Sequence, residues 1–190
     1  MGCSLARVSA GTIDDLRRAQ RILCFGATGS GKSTMAQALG ERLGLPVVLI
    51  DDLCWEPGWV QPPRDELDRR VLPVLERESY VIDSVYRFHN DHALERIDLI
   101  VGLDYPRAVS LARLVRRTAR RIRTREPVCN GNVESLRLAL GRDSIIVWHF
   151  RSWASKRERM RRWHADGSAP PVLLLPRPAD ADALLAELGS

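Results

Sequence analysis

Eight consecutive residues, Gly26-Ala27-Thr28-Gly29-Ser30-Gly31-Lys32-Ser33, have the make-up of a loop that wraps a polyphosphate. They fit G-x-x-x-x-G-K-[ST]. Glycines let backbone N–H groups turn inward and approach an anion closely. Lys32 adds a compact charge that can reach β- and γ-phosphates, and Ser33 adds a hydroxyl suited to Mg²⁺. The lysine stands out by type as well. Of the 29 Lys and Arg in the chain, only Lys32 and Lys156 are lysines. A planar guanidinium does not replace a point charge in a tight loop, so the choice of lysine at position 32 points to the loop's chemistry rather than to generic surface charge.

Carboxylates follow two other apolar runs. Asp51 and Asp52 come after Val47–Ile50, and Asp83 after Tyr80–Ile82. If those runs are strands of a parallel sheet, these acids stand at carboxyl ends, where such sheets bind ligands. Asp83 then suits Mg²⁺ or an attacking hydroxyl, and Asp51 a substrate-side role. The bland alternative is a strand or helix cap, and it is the reading adopted for Asp52 and Asp104. Trp55 and Trp59 are candidates to wall an acceptor pocket, against the alternative of core packing. Arg64 is a candidate clamp for an anionic acceptor, against that of a charge near a helix start.

The net charge of +5 hides a division. Residues 105–165 hold 16 of the Lys and Arg but 4 of the Asp and Glu, a local excess of +12. Such a half attracts anions, whether nucleotide phosphates or nucleic acid. Arg113, Arg116, Arg117, Arg120, Arg121, Arg123 and Arg125 are crowded into one stretch of it. Half of these fit a solvated helix. Two or three fit a mobile lid that neutralises a transferring phosphoryl group, and Arg117, Arg121 and Arg123 are selected. The four cysteines, Cys3, Cys24, Cys54 and Cys129, form no C-x-x-C pair, so neither a disulfide framework nor a zinc site is expected. His89, His92, His149 and His164 show no metal-ligand spacing. No apolar run approaches membrane-spanning length and no secretory stretch opens the chain, so a cytoplasmic location without membrane contact is expected.

The elements that must position these residues alternate. Apolar runs at 21–27, 46–51, 80–84, 99–104 and 170–176 read as strands. Helical spacing follows most of them: 32–43, a segment from Pro62 with an interior Pro73, 106–123, 143–163 and 179–188. Residues 124–142 lack periodicity. This pattern predicts an α/β protein, with a parallel sheet covered on both faces. Residues 1–20 form an extension with a short helix from Thr12 to Gln20, and 21–190 form one domain.

The loop, the run Val47–Leu67 with its D-x-x-x-W-x-P-G-W segment from Asp51 to Trp59, and Tyr80–Arg87 together resemble a known group. They are similar to the topology-modulation (FlaR-type) branch of adenylate-kinase-like P-loop proteins, over about residues 21–188. The resemblance implies a three-layer α/β/α sandwich with a five-stranded parallel sheet of order 2-3-1-4-5. It implies a kinase of nucleoside or nucleotide type, using ATP and Mg²⁺. On that likeness Gly26 to Thr34 would bind ATP, Asp51, Arg64 and Asp83 would line the acceptor side with Trp55 and Tyr86, and an arginine-rich lid would span about 116–142. The group reads Asp-Gly-Asn-Tyr where this chain reads Asp83-Ser84-Val85-Tyr86. The leading expectation is transfer of a γ-phosphoryl group to a small acceptor, with Lys32, Asp51, Asp83 and the lid arginines acting, and Ser33 and Asp83 holding the metal. The alternative is a nucleotide-controlled, nucleic-acid-associated protein.

Overall fold

Five apolar runs form the strands of one parallel sheet. They are β1 (Arg21–Gly26), β2 (Val47–Val48), β3 (Tyr80–Ile82), β4 (Leu99–Leu103) and β7 (Val172–Leu175). In this computed structural model the described residues are 10–142, 144–167 and 169–189. The sheet order is β2-β3-β1-β4-β7. This is the expected 2-3-1-4-5 arrangement. The fifth sheet strand is numbered seventh because two short strands, β5 (Pro127–Val128) and β6 (Asn132–Val133), form a separate antiparallel hairpin before it. β1 lies in the centre, paired in parallel with β3 and β4. Its buried side chains alternate between two cores, as a strand covered on both faces requires. Leu23 and Phe25 face one core, and Ile22 and Cys24 the other.

The helices are α1 (Ile13–Arg18), α2 (Lys32–Leu43), α3 (Ile50–Cys54), α4 (Arg64–Leu75), α5 (Asn90–Leu94), α6 (Arg107–Thr124), α7 (Leu136–Leu140), α8 (Ile145–Asp166) and α9 (Pro178–Leu188). α1 begins with a capping box between Thr12 and Asp15 and buries Leu16 in the same core as Ile22 and Leu39. The helical part of the expected extension is therefore packed on the domain. Residues 1–9, with Cys3, lie outside the described residues. Cys24, Cys54 and Cys129 are free thiols. Pro73 falls in the last turn of α4 and does not end it.

One expectation is corrected. The run from Pro46 to Asp51 was expected to be a single strand closing at Asp51 and Asp52. Only Val47 and Val48 pair with β3, and Ile50–Cys54 turn into α3. Asp51 and Asp52 thus occupy a first helical turn, where a carboxylate complements the exposed amides. Asp83 draws the chain into this turn by accepting a hydrogen bond from Ile50 N at 3.0 Å. Among the described residues, no helix is long and apolar enough to cross a membrane.

Candidate active site

The glycine loop joins β1 to α2 at the carboxyl end of the central strand. Gly29 and Gly31 have φ of +81° and +97°, in the left-handed region that favours glycine. Gly31 is the N-cap of α2 and supplies no side chain to its first turn. The amides of that turn therefore have no intrahelical acceptor, and they carry the positive end of the helix. The back of the loop rests on α6. A Cβ placed on Gly29 would lie 2.4 Å from Ser110 O and 2.7 Å from Leu114 Cβ. Arg113 from the same helix donates to Ser30 O at 3.3 Å. The Ser30 hydroxyl is buried and has no hydrogen-bond partner among the described residues.

Three elements meet at Asp83. This carboxylate is 4% exposed and accepts from Ser33 Oγ at 2.6 Å, as well as from Ile50 N. It fastens the first turn of α2 to the start of α3 below the loop. Ser33 and Asp83 are hard oxygen donors. Mg²⁺ keeps several waters and substrate oxygens and takes one or two protein ligands, so this pair fits it. No cluster of three His, Cys, Asp or Glu among the described residues offers an all-protein metal cage.

Lys32 reaches across the loop and donates to Ala27 O at 3.1 Å. Burial pushes its ammonium down, while Asp83 and Asp51 pull it up. Asp51 touches solvent but stands in a crowded cleft. Desolvation and then Asp83 raise its carboxyl above the ordinary range. Tyr86 donates to Asp51 Oδ1 at 3.4 Å, and burial raises that phenol strongly. Trp55 caps α3 and meets Trp59 edge-on, with ring centroids 6.0 Å apart.

A strap from the hairpin crosses this side. Asn130 Nδ2 donates to Asp52 O at 2.7 Å and to Trp55 O at 2.8 Å. Asn132, 4% exposed, donates to Glu56 O at 2.9 Å and accepts from Trp59 N at 2.8 Å. Amide side chains here satisfy loop carbonyls and N–H groups that no sheet or helix would pair.

The expected site residues are thus partly gathered. Gly26 to Thr34, Lys32, Ser33, Asp51, Asp83, Tyr86 and Trp55 surround one cleft. Arg117 joins them from α6: it is half-buried, its Nε has no hydrogen-bond partner among the described residues, and its charge is felt by both Lys32 and Asp51. Arg121 is instead tied to Glu134 at 3.1 Å. Arg123 is exposed and lines an outer groove with Arg116, Ala119 and Arg120. Arg64 is exposed, bonded to Asp68 at 2.7 Å and stacked 3.9 Å over Phe88. A chain of contacts through the Phe88 and Tyr86 rings links it to Asp51. Asp104, read as structural, is 5% exposed and pairs with Arg157 and Arg161 of α8. Sequence reasoning named Arg113 among the crowded arginines without selecting it, and missed Asn130, Asn132 and Lys156. Of these three only Lys156 left a signal, as the second lysine beside 27 arginines.

A five-stranded parallel sheet of this order, covered by helices on both faces and with a glycine-rich loop leading from its central strand into α2, is a known α/β fold. Solved structures similar to this chain share it. Shikimate kinase from Acinetobacter baumannii, in complex with shikimate, aligns at 17% identity with a TM-score of 0.56, covering 93% of this chain and 95% of its own. Deoxyadenosine kinase from M. mycoides aligns at 14% identity with a TM-score of 0.54, covering 88% and 96%. A gluconokinase from Sinorhizobium meliloti 1021 aligns at 17% identity with a TM-score of 0.50, covering 90% and 93%. No family model matches the chain, and no curated protein matches it.

Proposed function

We propose that this chain is an ATP- and Mg²⁺-dependent phosphotransferase of the nucleotide or nucleoside kinase type, acting on a small acceptor. One arrangement carries the reading. An α2 N-terminus capped by glycine alone is bolted through Ser33 and Asp83 to the helix that bears Asp51. The loop amides and Lys32 hold the β- and γ-phosphates. Ser33 and Asp83 are the residues that would hold Mg²⁺, which would supply charge neutralisation for the transferring phosphoryl group. Arg117 adds charge from the α6 side.

Asp51 and Tyr86 orient the acceptor against Trp55. The acceptor oxygen bonds to the γ-phosphorus as the bond from that phosphorus to the β–γ bridging oxygen breaks. ADP departs with that electron pair, and Asp51 takes the acceptor's proton. Residues 116–142 act as the lid, and the Asn130–Asn132 strap holds its tip over the acceptor side. Closing this cleft excludes water and suppresses ATP hydrolysis. The likeness of Asp51–Trp59 to the topology-modulation group belongs with this reading, since that segment forms the acceptor wall. The similar structures are a shikimate kinase, a gluconokinase and a deoxyadenosine kinase, so hydroxyl acceptors head the trial list.

A coupled ADP-release assay against nucleosides, nucleoside monophosphates and small hydroxy acids tests the proposal. ADP release is expected with at least one acceptor, and Lys32→Met is expected to lower it by about a hundredfold or more. Near-wild-type turnover in that variant, or no calorimetric heat with Mg·ATP, overturns it.

A further inference from the structure

The buried stripe of α8 is interrupted by a charge. His149, Ser152, Met160 and Trp163 are all buried, and Lys156 falls in the same stripe by i, i+4, i+7 spacing with Met160 and Trp163. The rotation of α8 is set by firm contacts. Arg157 and Arg161 bond to Asp104 at 2.6 and 2.8 Å. A Cβ on Gly102 would fall 2.7 Å from Met160 Sδ, and Trp163 packs 4.9 Å from Phe25, centroid to centroid. Lys156 is therefore directed inward, one turn beyond Met160. There it lies within electrostatic reach of Lys32 and Asp51. Among the described residues its Nζ has no hydrogen-bond or ion-pair partner.

We infer that the Lys156 ammonium is a second anion ligand of this site, set to receive the phosphoryl group on the acceptor side of Lys32. The inference rests on the phosphotransferase reading above. Lys156 is part-buried, and a cation withdrawn from water beside another cation is costly unless an anion joins them. The charged or titratable groups around it are Lys32 from α2, Asp51 from α3, and Arg159 and His149 from its own helix. One carboxylate stands against that many cationic or basic groups. The side-chain type fits as well. A flexible stem with a point charge can follow a group that moves between two oxygens, whereas a planar guanidinium is suited to a fixed fork. Burial, and then Lys32, push the Lys156 ammonium down to about 7. A polyphosphate beside it favours the charged form, so binding draws a proton from solvent.

The test is calorimetric titration at pH 7.5 with Mg²⁺ and a non-hydrolysable ATP analogue, in two buffers of different ionisation enthalpy. Wild type is expected to take up roughly half a proton or more per site, because an amine near 7 is mostly neutral at that pH. Lys156→Met is expected to remain folded by circular dichroism, bind the analogue without that uptake, and lose about a hundredfold in acceptor-dependent turnover. Lys156→Arg keeps the charge at all pH and is expected to bind the analogue with no proton uptake and to turn over faster than Lys156→Met but below wild type, since its fork follows the moving group less well. Unchanged uptake and unchanged turnover in Lys156→Met overturn the inference and leave the phosphotransferase reading standing. Failure of wild type to bind the analogue removes that reading first, and the inference with it.

Discussion

Replacing Gly29 by Ala separates two costs that glycine avoids at this loop. The first is conformational. An L side chain at φ +81° costs about 1–2 kcal/mol. Gly31→Ala incurs a similar cost at +97°, but there the nearest atom is Arg113 Nη1 at 3.7 Å, which is the movable end of a long side chain. The second cost belongs to Gly29 alone. Its added Cβ would lie 2.4 Å from Ser110 O, a backbone atom inside α6, and 2.7 Å from Leu114 Cβ. Relief requires the loop and the helix to part by about 1 Å, and overpacking of this sort costs roughly 1–3 kcal/mol. Gly29→Ala should therefore destabilise the protein by about 2–5 kcal/mol, and Gly31→Ala by about 1–2 kcal/mol. Urea unfolding of both variants, with Mg·ATP binding measured alongside, reads the difference. If the two unfold at the same urea concentration, the loop does not rest on α6 and the reasoning fails.

The remaining expectations concern the strap and Asp51. Asn132→Ala leaves Trp59 N and Glu56 O without their partner, a loss of about 1–3 kcal/mol, most of it local. Amide exchange at Trp59 should accelerate well before global unfolding, and unchanged protection there would sink the strap. Asp51 has a raised carboxyl and must be ionised to accept a proton, so turnover should fall as pH drops through a value above the usual aspartate range. Asp51→Asn should be slow at every pH and lack that acid limb. An acid limb that survives the substitution assigns the ionisation to another group.

Much of the fold could be read from residue types. β1, the loop and α2 were legible because a continuous apolar run, spaced glycines and a helical period follow one another without ambiguity. α3 was not, because a short apolar run ahead of it reads equally well as strand or helix. Its start is decided by a hydrogen bond from Ile50 N to Asp83, 33 residues away. The hairpin was read as aperiodic chain, since Asn130 and Asn132 gain their meaning only from carbonyls some 75 residues distant. Within the site, motif residues came from spacing alone. The arginines did not, for composition says how many there are and not which face each takes. Arg117 turns to the cleft, Arg121 to Glu134 and Arg123 outward.

The choice of arginine for nearly all basic positions has a practical outcome. Apart from the terminal amine, the chain offers an amine-directed reagent just two side-chain primary amines, and both border the same cleft. Guanidinium groups stay protonated and inert to such reagents. An ordinary lysine near pH 10.4 is almost fully protonated in neutral solution, while burial and Lys32 push the Lys156 ammonium down to about 7, so a sizeable share of it carries a free lone pair there. A mild aldehyde or active ester would therefore mark the cleft rather than the surface, and protection from it would report occupancy by mass alone, before any acceptor has been found.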